Sequence, residues 1–199
     1  MADNLELLQQ ARAGAASAKP DVRLVMVIMR QNLGELPDIV RLAHRWGCCS
    51  IFVQHLCHGF QESSLPAHYR PMREFLNDQT LLGEDRSRVA IYFEAAREVA
   101  DGVGIELRLP HIGDGTPRAL PPGRPRCDWP WRGMYMSYQG YSMPCCMIST
   151  PDRLNFGNLV ELSATQVWNS AEYDTFRDRL SGDDPPEICR SCSVYQGLF

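Results

Sequence analysis

An α/β chain in two parts is what this sequence predicts: a β/α-repeat portion over residues 1–112, then a small cysteine-rich α+β module over residues 126–199. Three observations point there. Short apolar runs of strand length alternate with amphipathic helical stretches as far as Pro110. Residues 113–125 are dense in Gly and Pro and read as a linker. Beyond them the composition changes, and Cys127, Cys145, Cys189 and Cys192 stand in a stretch with few long periodic segments.

The first helix is expected from about Asp3 to Ser17: Asp3 and Glu6 make a cap signature, Leu5, Leu8 and Arg12 follow at helical spacing, and Pro20 ends it. Val22–Met29 is an apolar run without alternation, which suits a parallel strand covered on both faces. Leu36, Ile39, Val40, Ala43 and Trp46 mark one face of a second helix, with Pro37 in its first turn and Gly47 as its stop. Cys49–Leu56 reads as a second buried strand. His58–Gly83 has weak periodicity and reads as a long loop with a functional use. Val89, Phe93, Ala96 and Ala100 define a helix over Glu84–Asp101, broken by Gly102 and Gly104, and Ile105–Pro110 is a third strand. In the module, one helix is expected from Ser163 to about Leu180, opened by a capping box of Ser163 with Gln166 and carrying Trp168, Tyr173 and Phe176 as its core stripe.

Composition excludes several functions. Net charge is −4, so there is no basic footprint for nucleic acid. No apolar run approaches the roughly 20 residues that cross a membrane, and Met1–Glu6 lacks the layout of a signal peptide. A cytoplasmic location is expected, where eight cysteines read as thiols or metal ligands rather than disulfides.

Cys189 and Cys192 form a Cys-x-x-Cys pair; Cys127 and Cys145 are separated by 17 residues. Four thiolates gathered by a fold make a soft-metal site, zinc or iron–sulfur, and a module this poor in long elements needs such a staple. Buried apolar thiols are the plain alternative. Zinc ribbons normally show two short Cys pairs, whereas a spread first pair suits a cluster enclosed by a hairpin. Cys146, beside Cys145, points the opposite way in an extended segment. Cys48, Cys49 and Cys57 read as buried or strand-end thiols, and His55 and His58 as a polar strand end. Trp129 and Trp131 read as packing around the cysteine site.

The phrases Cys127-Asp128-Trp129-Pro130-Trp131, Gly140-Tyr141-Ser142-Met143-Pro144-Cys145-Cys146, Asn155-Phe156-Gly157-Asn158-Leu159, Val167–Arg177 and Pro185–Cys192 resemble the C-terminal auxiliary-cluster domain of radical SAM enzymes, called SPASM, or twitch when shortened. The family pattern of a Cys, a spacer, a Gly and then, after four residues, a Cys is met by Cys127, a 12-residue spacer, Gly140 and Cys145. The shortened version is the closer match, since no cysteine follows Cys192. The resemblance implies that Cys127, Cys145, Cys189 and Cys192 ligate one auxiliary [4Fe-4S] cluster. It also implies that residues 1–112 are half of a partial (β/α)6 TIM-like barrel, with Met29–Leu33 at the fourth strand and Val53–Leu56 in the fifth. Arg30, Asn32 and Gln54, at strand C-terminal ends, are then the candidate contacts to S-adenosylmethionine or substrate.

The family's Cys-x3-Cys-x2-Cys motif is missing from this chain. The resemblance therefore implies a truncated or split oxidoreductase or maturase, unable to cleave S-adenosylmethionine alone. It would be completed by a partner chain supplying the N-terminal half-barrel, exchange electrons with a donor or acceptor, and act on a small-molecule or peptide substrate. A zinc- or cluster-stabilised binding module without catalysis is the alternative.

Overall fold

The structure, a computed structural model, describes residues 2–17, 19–56, 59–112 and 126–197. In chain order the elements are α1 (Ala2–Gly14), β1 (Arg23–Ile28), α2 (Leu36–Arg45), β2 (Ser50–His55), α3 (Arg70–Gln79), α4 (Arg86–Val103), β3 (Glu106–Arg108), α5 (Trp129–Arg132), β4 (Tyr135–Met136), β5 (Ser142–Met143), α6 (Ala164–Trp168), α7 (Ala171–Ser181), α8 (Glu187–Arg190) and α9 (Ser193–Gln196). The described residues fall into two compact units, one from within 1–56 and 78–114, the other from within 57–77 and 115–199. The segment after β2 thus groups with the cysteine-rich residues. The linker expected over 113–125 lies outside the described residues.

The first unit is a small parallel sheet in the order β1-β2-β3, with Val25 opposite Phe52 and Val27 opposite Gln54. Its core lies on one face only. Ile28, Ile51 and Val53 pack there against Leu36, Val40 and Ala43 of α2 and Val89, Phe93, Ala96 and Ala100 of α4. Each of the Ile, Val, Leu and Phe side chains taken fully out of water stabilises the unit by roughly 1.5–3 kcal/mol, which sets the register. Asp85 caps α4 by accepting from the Ser87 N–H, and the left-handed Gly104 ends it.

The expectation of strands covered on both faces is overturned. Val25, Val27 and Phe52 are 57%, 40% and 46% exposed, and they share the opposite face with Gln54. No described helix of the unit supplies a second apolar stripe for them. A parallel sheet open on one side is rare, because both faces are normally sheathed by crossover helices. The strand order also leaves β1 at an edge of the sheet among the described residues.

The long loop expected over His58–Gly83 contains α3. Its first turn holds Pro71, and Met72, Phe75 and Leu76 repeat at helical spacing, but only Leu76 is buried. The single helix expected from Ser163 is two. The Ser163–Gln166 capping box forms, then the chain breaks at Asn169 and Ser170 recaps it by accepting from the Tyr173 N–H. No described helix is long and apolar enough to cross a membrane.

Candidate metal centre

Four short pieces of the second unit carry the four cysteines. Cys127 enters α5. The insert that follows folds into the β4–β5 hairpin, with Tyr135 opposite Met143 and Met136 opposite Ser142. Gly140 turns that hairpin at φ +89°, a left-handed conformation that glycine adopts freely. A Cβ there would also stand 2.6 Å from Asn158 Oδ1, and Tyr141 bridges Asn158. The glycine of the motif is therefore required twice, by its dihedral and by close approach.

Cys145 follows the fully buried Met143 and Pro144. It precedes a 3-10 turn, Cys146–Ile148, whose Met147 and Ile148 N–H groups favour its thiolate. Cys189 lies in α8, and Cys192 is the N-cap of α9 with its N–H donated to Cys189 O at 3.0 Å. Gly59 lies against the turn between them: a Cβ there would meet Ser191 O at 2.3 Å.

The thiols are electrostatically coupled. Burial pushes the Cys145 thiol up to about 12, helped by charge on Cys192 and Cys127. Burial also raises Cys189, with Cys145, Cys192 and Cys127 adding to it. Cys127 is raised by burial too, against the Trp129 N–H, and Cys192 and Cys146 both act on it. Cys127, Cys145 and Cys189 are thus three half-buried thiols whose charged form burial disfavours, and Cys192 acts on each of them. Among the described residues, no group of three or more His, Cys, Asp or Glu side chains is arranged to hold a metal ion.

Polar atoms without partners stand in the same unit: Ser142 Oγ, Tyr173 Oη, Ser191 Oγ and one Arg177 nitrogen are buried without a hydrogen bond. Sequence reasoning missed the arginines. Arg177 donates to Pro130 O at 3.0 Å and Trp168 O at 2.7 Å and lies 3.9 Å from the Tyr173 ring centre. Arg153 is buried against Glu62 and donates to the carbonyls of Gly59 and Ile148. A cleft of about 620 Å³ opens beside α8, floored by Leu154, Phe156, Phe176 and Ile188 with Glu172 and Arg179 at its sides.

Trp129 and Trp131 are 45% and 40% exposed, so they do not pack as a shell; α5 instead turns Pro130 inward, where Arg177 holds its carbonyl. Cys48 is buried and Cys49 is exposed with its thiol against Val22 O. Cys57 and His58 lie outside the described residues. His55 is a core side chain whose Nε2 accepts the Leu81 N–H at 2.9 Å.

In the first unit, Asn32 accepts the Met29 N–H at 2.8 Å and donates to Val27 O at 3.0 Å, closing the turn after β1. Arg30 pairs with Glu84 at 3.0 Å and Asp78 at 3.3 Å, and Gln54 is exposed on the open sheet face.

Residues 127–193 match the family model of the SPASM iron-sulfur cluster-binding domain. The chain is 28% identical over 189 residues to a PqqA peptide cyclase of Xanthomonas campestris pv. campestris (strain 8004), covering 93% of this chain and 46% of that protein. It is 28% identical over 167 residues to the PqqA peptide cyclase of Xanthomonas euvesicatoria pv. vesicatoria (strain 85-10), covering 83% and 40%. It is 28% identical over 180 residues to that of Rhizobium meliloti (strain 1021), covering 89% and 43%. The chain spans less than half the length of these curated relatives. The resemblance to radical SAM enzymes with a SPASM or twitch domain stands on both findings.

Proposed function

We propose that this chain, with its SPASM iron–sulfur domain, is the auxiliary-cluster part of a radical SAM-type oxidoreductase or maturase acting on a peptide. The observation that carries the reading is the family match beginning at Cys127, over a segment in which Cys145, Cys192 and Cys127 all act on the charge of Cys189. Cys127, Cys145, Cys189 and Cys192 would hold one [4Fe-4S] cluster. When bound, such a cluster supplies one-electron chemistry, accepting or passing on an electron from a substrate.

The protein's own residues do the rest. The Met147 and Ile148 N–H groups favour charge on the Cys145 sulfur, and the buried β5–Pro144 stretch keeps water from it. The cleft over Leu154, Phe156, Phe176 and Ile188 has the volume and apolar floor of a small-ligand site and would take a side chain of the peptide. The open sheet face would be the interior of a half-barrel, with Gln54 and Arg30 at its rim and Asn32 holding the turn that presents them. S-adenosylmethionine would bind there only once the other half is supplied, by a partner chain or a longer form, because Cys-x3-Cys-x2-Cys is missing here. The second reading is a zinc- or cluster-stabilised binding module without catalysis.

Anaerobic reconstitution with iron and sulfide tests the first reading. About four iron and four sulfide per chain are expected, with brown protein. Colourless protein carrying one zinc overturns it. Cleavage of S-adenosylmethionine on adding a chain that carries the missing motif separates the enzyme from the binding module.

A further inference from the structure

The helix α7 presents two faces. Tyr173, Phe176 and Leu180 form its buried stripe. Glu172, Thr175, Phe176 and Arg179, spaced at i, i+3, i+4 and i+7, line the cleft of about 620 Å³. The two ends of that row carry opposite charge. The described ion pairs of α7 are Asp174–Arg177 and Arg179–Asp184. Glu172 takes part in neither, so its carboxylate is uncompensated at one end. At the other end Asp184 is shared: Arg179 holds one of its oxygens at 3.3 Å and Arg190 holds the other. Two guanidiniums on one carboxylate leave surplus positive charge beside Arg179.

Between the ends, the polar side chains are already committed. Thr175 donates to Ala171 O at 2.7 Å. Asn155 donates to Pro151 O at 2.8 Å and accepts the Gly157 N–H at 3.1 Å. Both Glu187 oxygens accept from Ser63, from its N–H at 2.7 Å and its hydroxyl at 2.9 Å. Arg153 is paired with Glu62. What is left for a ligand is the apolar floor, where the Phe156 and Phe176 rings meet edge-on at 5.4 Å.

Glu172 and Arg179 are two turns apart on one helix, which is about 10 Å. An extended chain covers that span in about three residues. We infer that the cleft binds an extended peptide segment carrying a basic and an acidic side chain about three residues apart, with an apolar side chain between them. The basic group sits at Glu172, the acidic group at Arg179 and the apolar one on the floor. The inference rests on the proposed reading of the substrate as a peptide and names the class of segment. Ile188, on the floor, directly precedes Cys189 in α8, so such a segment would lie against the helix that carries a candidate ligand.

Isothermal titration calorimetry on the reconstituted full chain tests this, with iron and sulfide assayed in the same sample. The probes are the blocked tetrapeptides Lys-Leu-Gly-Glu and, in reverse order, Glu-Leu-Gly-Lys. At least one should bind, and the preferred order gives the direction of the bound strand. Exchanging either charged residue of the peptide for Gln should weaken binding roughly fivefold. Exchanging Leu for Gly should weaken it about tenfold or more. Preference should also follow charge reversal in the protein: Glu172→Lys should favour Glu-Leu-Gly-Glu, and Arg179→Glu should favour Lys-Leu-Gly-Lys. A substitution that merely damages the fold loses every peptide alike, and the wild-type series then decides. Failure of both orders to bind wild type at millimolar concentration overturns the inference, as do affinities indifferent to the peptide's charges. Either result in iron-loaded protein leaves the proposed cluster standing. A wild type that discriminates the peptides but loads no iron supports the cleft and overturns the cluster.

Discussion

Arg153 and Glu62 form an ion pair with both side chains almost fully out of water, 1% and 2% exposed, at 2.6 Å. The pair joins the start of the 59–77 segment to the stretch after the Cys145 turn, because Arg153 also donates to the carbonyls of Gly59 and Ile148. Its guanidinium lies 4.1 Å from the Phe60 ring centre. Breaking a pair of this kind strands a charge in a dry interior. Glu62→Ala should therefore destabilise the second unit by roughly 3–5 kcal/mol. Equilibrium urea denaturation of the cluster-free protein reads this directly. A loss below 1 kcal/mol would mean that water reaches Arg153.

Gly140→Ala should harm cluster loading more than a surface change does. The alanine must hold φ near +89° with its Cβ against Asn158 Oδ1, so the hairpin that brings Cys145 back to Cys127 must shift. Strain of this kind costs roughly 1–3 kcal/mol. Iron per chain after reconstitution should fall well below that of wild type, while the far-ultraviolet circular dichroism of α4 and α7 persists. Equal iron content would show that the turn has slack.

His55 makes the first unit sensitive to acid. Burial lowers its imidazolium to about 4 from the ordinary 6.5. A protonated ring would also turn Nε2 from acceptor to donor against the Leu81 N–H. The unfolded chain binds this proton at a higher pH than the folded one, so stability rises with pH between the two values. The contribution is whole above about pH 6.5, declines toward pH 4 and is flat below, amounting to roughly 3 kcal/mol. His55→Gln keeps an acceptor and should flatten the profile in urea melts taken at stepped pH. An unchanged profile would assign the acid sensitivity to other groups.

The open sheet face predicts self-association. Val25, Val27 and Phe52 form an apolar patch beside the free edge of β1, an arrangement that recruits further strands or surfaces. Sedimentation velocity should show concentration-dependent association of the chain alone. Val25→Glu with Phe52→Glu should reduce it without lowering stability, since neither side chain is in the core. A wild type that stays monomeric at high concentration would show the face is covered.

Much of this was legible in the residues. Apolar spacing placed β1, α2, β2 and α4 to within a few positions, and Ser163 with Gln166 announced its capping box. Gly140 was marked only by the family pattern that the chain resembles, and its backbone reason shows in the fold. What failed to show has physical causes. Val25, Val27 and Phe52 read as core because a strand apolar on both faces carries no mark of which face lacks a cover. α3 was missed because its sequence is polar around Met72, Phe75 and Leu76, although that spacing with Pro71 was the available signal. The break at Ser170 hides inside one continuous stripe, since Val167, Tyr173 and Phe176 are buried on both sides of it. Arg153 with Glu62 could not be read at all, because their pairing spans 91 positions and burial alone makes it matter.

Thiol labelling distinguishes the ligand set from the remaining cysteines. With its pKa near 12, Cys145 in the cluster-free protein is thiolate at only roughly one part in ten thousand at pH 8, and Cys189 is held up in the same sense. Cys49 is exposed and unencumbered by burial. Timed alkylation with mass spectrometry should therefore label Cys49 first and Cys145 and Cys189 last. In reconstituted protein, Cys127, Cys145, Cys189 and Cys192 should all resist, because donation to iron lowers the nucleophilicity of a ligating sulfur, while Cys146 and Cys49 still react. Protection of Cys146 together with labelling of Cys145 would transfer the ligand role to its neighbour. Labelling of all four in iron-loaded protein would place the iron elsewhere.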